Sequence, residues 1–303
     1  MIHIFIVNPY AGLKTFSDEL REKLSGFKGL NYFIFNTRCK GYEQELVKKV
    51  QNIFQDEKLR FYCCGGSGTM RNMLNGFENL ENVEVAYFPC GLSNDFLKVF
   101  GKDEKRFYQI EELIEGDVIT VDYIKTNHGV ALNTFSLGLD SNTDKKMNDY
   151  RIAGAFGKEI PYILSLLYAL FRSRPEEYIV YLDDQRVEGR LSEVVFGNGH
   201  VLGGNLYFAE ESDVGDGKGI YTLGPNRMGL AMLPVIQALL SRQKDRLEKY
   251  CICGMCSRIR IRRKDGVPFA VNCDGELSIG MREWTATIVK QGLHLVVPKG
   301  VKV

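Results

Sequence analysis

No stretch of this 303-residue sequence approaches the ~20 apolar residues that a helix needs to span a bilayer. Excess charge of either sign is also missing. The net charge is +1, which removes any global electrostatic case for nucleic-acid binding. No internal repeat and no low-complexity linker occurs. The opening residues, Met1-Ile2-His3-Ile4-Phe5-Ile6-Val7, carry no basic region and no small-residue cleavage site, so they read as a first strand and not as a leader. The eight cysteines do not make a disulfide framework: Cys63 and Cys64 lie in an apolar run, and Cys39, Cys90 and Cys273 are scattered. This usage suits reduced thiols in a cytoplasm. Cys251, Cys253 and Cys256 form a lone Cys-x-Cys-x-x-Cys with no histidine beside it, for which core packing outweighs metal binding. A Walker A loop is absent as well, because no Gly-x-x-x-x-Gly-Lys-Ser/Thr occurs.

What is present is the composition of an ordinary globular protein, 45% hydrophobic and 25% charged. A chain of this length can bury a large core and is expected to form two domains. Its most informative stretch is Leu59 to Phe77. A short apolar run that suits a buried strand turns sharply on Gly65, Gly66 and Gly68, then resumes with helical spacing over about 69–76. Glycines let the backbone approach an anion, and the first amides of a helix point toward it. Thr69 can cap the helix or donate a hydrogen bond to a phosphate oxygen. A tight strand–helix turn without a ligand is the competing reading.

Other segments fit the same scheme. Strands are expected at 2–7, 30–37, 59–64 and 83–88, and helices at about 15–26 and Glu43 to Phe54. The strand at 2–7 ends in Asn8-Pro9-Tyr10-Ala11-Gly12, and the one at 83–88 in Pro89-Cys90-Gly91-Leu92-Ser93-Asn94-Asp95-Phe96, where Ser93 or Asn94 would cap a helix. Strands alternating with helices argue for a mostly parallel sheet, whose ligands bind at the carboxyl ends of strands. Beyond residue 118 the pattern becomes short strands at 118–124, 130–137, 178–183, 191–198, 218–223, 257–263, 268–273 and 284–290, as in an all-β unit. Helical segments at about 158–172 and 226–241 interrupt them.

Several pieces, in order, resemble the diacylglycerol kinase catalytic-domain family. They are Asn8-Pro9-x-Ala11-Gly12; Gly65-Gly66-Ser67-Gly68-Thr69 with Asn75-Gly76; Pro89-x-Gly91 with Asn94-Asp95-Phe96; Asn133 with Gly138 and Asp140; Asn198, Gly203-Gly204 and Asp216-Gly217; Asp274-Gly275-Glu276; and Leu295-Val296-Val297-Pro298. Any one piece is weak, whereas the ordered set spans nearly the whole chain. The family is related to sphingosine kinases and NAD kinases. The resemblance implies an N-terminal parallel-sheet α/β nucleotide-binding domain over 1–122, to which 291–303 return, and a C-terminal β-sandwich with inserted helices over 123–290. It places the active site between them. It implies ATP and Mg²⁺ as cosubstrates and the hydroxyl of a diacylglycerol-like lipid as acceptor, met at the membrane surface by a cytoplasmic protein in peripheral contact with the inner face. No nucleic-acid partner is expected, and a homodimer is left open. The residues implied for ATP are Asn8, Gly65, Gly66, Gly68, Thr69, Gly91, Asn94 and Asp95. Asp274 and Glu276 are implied beside the transferred phosphoryl group, and Asp213 with Asp216 at a structural metal. Taken alone, Asp274-Gly275-Glu276 also reads as a hairpin turn.

Leu92 stands where the family's threonine is usual and Asn205 where it has a third glycine, and two further departures each remove a carboxylate. Ser67 stands where its aspartate is usual, and Asn72 where glutamate is frequent. Serine is uncharged at neutral pH and is no comparable general base. The loss of such a base is typically worth ~10²–10⁴-fold in rate. The departures support a second reading, a catalytically impaired relative that binds nucleotide or lipid. An NAD kinase is the third, opposed by Asn94-Asp95-Phe96 and the C-terminal matches. Two surfaces are candidates for lipid. The apolar segment Ile160 to Phe171, including Leu164, Leu167 and Phe171 and followed by Arg172 and Arg174, either faces acyl chains or packs on the sandwich. Arg258, Arg260 and Arg262 alternate with Ile259 and Ile261, so three cations share one strand face that meets anionic headgroups or water.

Overall fold

A computed structural model describes residues 1–11, 16–80, 83–91, 94–138 and 174–302. Contacts divide the chain into two compact units, Met1–Tyr123 with Lys290–Val303, and Ile124–Val289.

In the first unit, β1 (Ile2–Val7), β2 (Tyr32–Asn36), β3 (Leu59–Gly65) and β4 (Glu84–Pro89) alternate with α1 (Phe16–Ser25), α2 (Tyr42–Ile53) and α3 (Ser67–Leu74). Every residue of β1, β3 and β4 is buried, as mostly apolar strands covered on both faces require; the exceptions, His3, Arg60 and Glu84, are buried too, with Arg60 Nε donating to Glu84 at 2.8 Å. β2 is half-exposed and lies at the sheet edge. The strands run parallel in the order β2-β1-β3-β4, and the far side of β4 pairs with His294–Val296 at the end of the last strand (Glu283–Val297), again parallel. That return is fixed by side chains of residues 117–122: Asp122 accepts the Gln291 amide at 2.6 Å, and Asp117 accepts that of Gly300 at 2.9 Å. Between β4 and this region lie a 3-10 segment, Asp95–Tyr108, broken at Gly101, and a short α4 (Ile110–Ile114) that sequence periodicity did not reveal. Gly76 is needed for packing. A Cβ there would lie 2.9 Å from the Gln44 backbone and from Val47, where the chain after α3 meets α2.

The second unit is a sandwich of antiparallel sheets. Its strands are the end of β5 (Asp117–Thr126), β6 (Gly129–Ala131), β7 (Thr134–Gly138), β8 (Glu176–Leu182), β9 (Gln185–Leu191), β10 (Glu193–Gly197), the small pair β11 (Val201–Leu202) and β12 (Leu206–Tyr207), β13 (Gly219–Leu223), β14 (Ile252–Cys256), β15 (Arg258–Arg263), β16 (Phe269–Cys273), β17 (Glu276–Met281) and most of the last strand. One sheet orders the last strand, β15, β8 and β9; the other runs β14-β13-β10-β7-β16-β17. Trp284, Val180, Ile259 and Ile261 from the first sheet meet Phe135, Phe196, Val271 and Cys273 from the second in one core. Two helices, α5 (Leu233–Ser241) and α6 (Lys244–Leu247), stand between β13 and β14. The expected helix at 158–172, with Leu164, Leu167 and Phe171, lies outside the described residues, as do Gly12, Leu92, Ser93, Asp140 and Arg172. Among the described residues no helix is long and apolar enough to cross a membrane.

Candidate functional site

The strand order 2-1-3-4 reverses direction between β1 and β3. In open α/β sheets the loops diverge at such a point and leave a crevice at the carboxyl ends. Register places Val7 beside Cys64 and Gly65 beside Pro89, so the loops after β1, β3 and β4 emerge side by side. The backbone stitches them together: Asn8 donates its amide to Cys64 O at 3.0 Å, and the Cys90 and Gly91 amides both donate to Gly65 O at 2.9 and 3.2 Å.

Glycine is demanded at two of these positions. A Cβ on Gly65 would lie 2.5 Å from the Thr69 Cβ, and one on Gly91 would lie 2.3 Å from the Gly66 Cα. The absence of both side chains lets α3 close on β3 and lets two loops touch. Helix α3 starts at Ser67, two residues before the expected start, with Gly66 as its extended N-cap and no side-chain cap. Thr69 therefore stands inside the first turn and does not cap. Its hydroxyl accepts a 2.9 Å hydrogen bond from Asn8 Nδ2, which leaves its own proton for a further acceptor. Asn8 Oδ1 in turn accepts the Tyr10 amide at 3.0 Å. Asn94 takes the N-cap place of the 3-10 segment without capping it; its amide donates to Gly91 O at 3.1 Å, and its oxygen accepts from Tyr87 Oη at 3.0 Å. Asp95 follows, buried.

These residues frame a small concentration of positive potential. The initial amides of a helix lack intrahelical acceptors and carry the positive end of its dipole. No acidic residue stands in the first turn of α3, so Ser67 leaves that potential undiminished where an aspartate would oppose it. The arrangement suits a phosphate oxygen. It does not suit thiol chemistry. Burial pushes the Cys90 thiol up to about 12 and raises those of Cys63 and Cys64 well above the usual range, so all three stay protonated and unreactive at neutral pH.

A second constellation forms within the β-rich unit. The expected strand at 130–137 is interrupted at Leu132 and Asn133, and the interruption presents three successive amides. The Asp274 carboxylate takes all three: Leu132 N at 2.6 Å, Asn133 N at 3.1 and 3.3 Å, and Thr134 N at 2.8 Å. Asp274 also occupies, with Gly275, a two-residue turn between β16 and β17 in which both residues have positive φ, 49° and 82°. The turn and the special carboxylate are one object. Asn198 joins the same cluster: its amide nitrogens bond to the carbonyls of Asn133 and Leu132, while Asn133 Nδ2 donates to Val201 O. Three positions far apart in sequence, Asn133, Asn198 and Asp274, are thus tied together mainly through backbone groups. Glu276 is half-buried at the start of β17.

Asp213 and Asp216 each accept an amide two residues on, from Gly215 and Lys218, within one exposed loop. Among the described residues no group of three or more His, Cys, Asp or Glu side chains converges as a metal site. Cys251 packs with the α5–α6 core, Cys256 with the sandwich core, and Cys253 Sγ lies 3.7 Å from Thr222 Oγ1. Arg258, Arg260 and Arg262 are exposed on one face of β15, with Arg260 4.3 Å above the Tyr181 ring. Sequence reasoning passed over the buried Arg71 in α3, since no local pattern separates it from a surface arginine.

Residues 3–126 match the model of the diacylglycerol kinase catalytic domain. A protein named "Putative lipid kinase" from Staphylococcus carnosus is 26% identical over 162 residues, which is 52% of this chain and 51% of the relative. One of the same naming from Staphylococcus aureus is 26% identical over 208 residues, 67% of each chain. The matched stretch therefore spans about half the length of the first relative and about two thirds of the second. Among solved structures, a Bacillus anthracis protein described as a diacylglycerol kinase superposes with a TM-score of 0.69 at 18% identity, covering 99% of this chain and 98% of that one. Another from the same organism reaches 0.73 at 21% identity, covering 99% and 96%. At these identities the superpositions establish the fold, an N-terminal α/β unit with a parallel sheet followed by an antiparallel β unit.

Proposed function

We propose that this chain, whose residues 3–126 match the model of the diacylglycerol kinase catalytic domain, is a member of that family and transfers the terminal phosphoryl group of ATP to the hydroxyl of a diacylglycerol-like lipid. The observation that carries the reading is the crevice between β1 and β3, where the start of α3, the Asn8–Thr69 hydrogen bond and the forced contact of Gly91 with Gly66 converge. Phosphoryl transfer asks a protein mainly to position phosphates and to stabilise charge, with little covalent help. The residues present do that: backbone amides and the Thr69 hydroxyl hold phosphate oxygens, and the fixed loops exclude alternative poses.

Mg²⁺ fits the donor set as an ion that arrives with the nucleotide. It prefers oxygen, retains waters, and is commonly held by substrate phosphates with one or two carboxylates and no protein cage. Asp95, buried beside Asn94, is the carboxylate we assign to it. The ion would supply charge neutralisation on the phosphates.

Ser67 sets the expected pace. Without a carboxylate at that position the transfer lacks base assistance, so a slow kinase is the reading, slower by ~10²–10⁴-fold than one with a positioned base. The absence of any acidic residue in the first turn of α3 also favours a second reading, in which nucleotide or lipid is bound without turnover. The two separate in one experiment. The purified protein is incubated with γ-labelled ATP, Mg²⁺ and a bacterial lipid extract, alongside Ser67→Asp and a parallel reaction with NAD. A labelled lipid that increases in Ser67→Asp supports the kinase. Tight ATP binding with no labelled product from either form supports the binding protein, and labelled NAD phosphate would replace both.

A further inference from the structure

Helix α5 breaks the usual rule for a helix at a protein surface. Such a helix buries one apolar stripe and turns charge to water. Its sequence, Leu-Pro-Val-Ile-Gln-Ala-Leu-Leu-Ser, contains no charged residue. One face does what is expected: Val235 and Ala238, with Met232 of the preceding 3-10 turn (Gly229–Met232), are buried against Leu247 and Cys251. The opposite face is open and mostly apolar, with Gln237 its one polar residue between Leu233 and Leu240. Leu230 is 69% exposed, Leu233 50% and Leu240 55%, with Pro234 exposed beside them. Isolated exposed leucines are ordinary, but three along one short helical segment make an apolar ridge.

The flanks of the ridge are cationic. No carboxylate occurs between Asp216 and Asp245. From Arg227 to Lys249 the side chains sum to +3, in a chain whose total is +1. Arg227, Lys244, Arg246 and Lys249 are exposed, and Lys244 has only a distant contact with Glu248 at 3.8 Å. Arg246, Arg227 and Lys249 make no ion pair among the described residues. Arg242 ends the helix in a left-handed conformation, φ 55°, and its guanidinium lies 3.8 Å above the Tyr207 ring while donating to the Tyr207 hydroxyl. That clamp holds the end of the ridge in place against β12.

We propose that the α5 ridge and its basic flanks dock this chain on an anionic phospholipid bilayer. An apolar helix face rimmed by Lys and Arg gains both from burial at the acyl boundary and from attraction to anionic headgroups. Charge complementarity selects this occupant over a second copy of the chain. A two-fold contact through the ridge would set one basic flank against another, which repels. The inference rests on the lipid-kinase reading only in naming where the acceptor's membrane is met; binding itself requires no phosphoryl transfer.

The test is flotation with vesicles of phosphatidylcholine containing or lacking phosphatidylglycerol, without ATP, with the oligomeric state followed by sedimentation. Binding is expected with phosphatidylglycerol, weak without it, and diminished by salt. Leu233→Ser with Leu240→Ser is expected to lower the partition coefficient about tenfold or more, through lost apolar burial. Arg246→Glu with Lys249→Glu should lower it by a comparable factor. Because these side chains are exposed, the variants should melt with the parent protein. The same variants should phosphorylate a short-chain diacylglycerol in solution at the parent rate and a vesicle-borne one more slowly. Loss of flotation in a protein that phosphorylates no lipid keeps the docking surface and removes the kinase reading. Unchanged flotation in both double variants overturns the docking surface whatever the activity. A dimer that the leucine variants dissociate while vesicle binding persists overturns it as well, in favour of a second copy.

Discussion

At the scale of single residues, absent atoms matter as much as present ones. Gly91 has no side chain because Gly66 fills the space, and Gly91→Ala must push two loops apart. Overpacking of this kind costs about 1–3 kcal/mol. Equilibrium urea unfolding should show that loss, and titration with ATP should show weaker binding, because the displaced loop is the one that frames the crevice. Asp274 makes the complementary case. Asp274→Asn replaces one acceptor oxygen with a donor that faces backbone donors. Leaving buried amides unsatisfied should lower stability by about 2–4 kcal/mol, measurable as a shift in denaturation midpoint at constant slope. The sequence offered two readings of Asp274-Gly275, a hairpin turn or a functional carboxylate, and could not join them, because the amides that bind the carboxylate are some 140 residues away. Gly76 was readable as part of a motif but not as the point where α2 and the end of α3 touch, which is a tertiary fact.

At the scale of elements, the inner parallel strands β1, β3 and β4 were legible because burial on both faces makes most of their residues apolar. β9 was not: Gln185–Leu191 is polar along most of its length and pairs only at an edge, so its partner β8 decides its conformation. The start of α3 moved by two residues because Gly66 supplies an extended N-cap that needs no hydroxyl. Asn8→Ala should loosen the link between the β1 loop and this helix. The loss of one hydrogen bond predicts about 1 kcal/mol in stability, with nucleotide affinity falling further than stability does; calorimetric titration beside thermal melting separates the two. The opposite end of the sheet carries a pH response. His3, buried and bonded to Tyr62 Oη at 2.7 Å, is held near 4 by burial first, and then by Arg60 and the amino-terminus, against 6.5 for the free side chain. The unfolded chain thus binds the additional proton between these values. Stability should be complete above about 6.5 and decline as pH falls toward about 4. Melting temperatures at pH 7, 6 and 5 should fall in that order, and His3→Gln should flatten part of the slope.

At the scale of the whole molecule, the contacts make one unit continuous in sequence and the other discontinuous. Residues 124–289 run without interruption, whereas the α/β unit needs both ends of the described chain. Expressed alone, residues 124–289 are expected to give a folded β protein with a cooperative melt. Residues 1–123 alone leave β4 with an unpaired flank and should aggregate, as bare strand edges do; light scattering of the two fragments checks both outcomes. The return of His294–Val296 to β4 has a further consequence for the order of events on the ribosome. Domains usually mature from the amino end during synthesis. Here the α/β segment must wait, and its sheet gains a flanking strand only after residues 124–289 have been translated. The nascent chain therefore carries a finished β unit between two halves of an unfinished one.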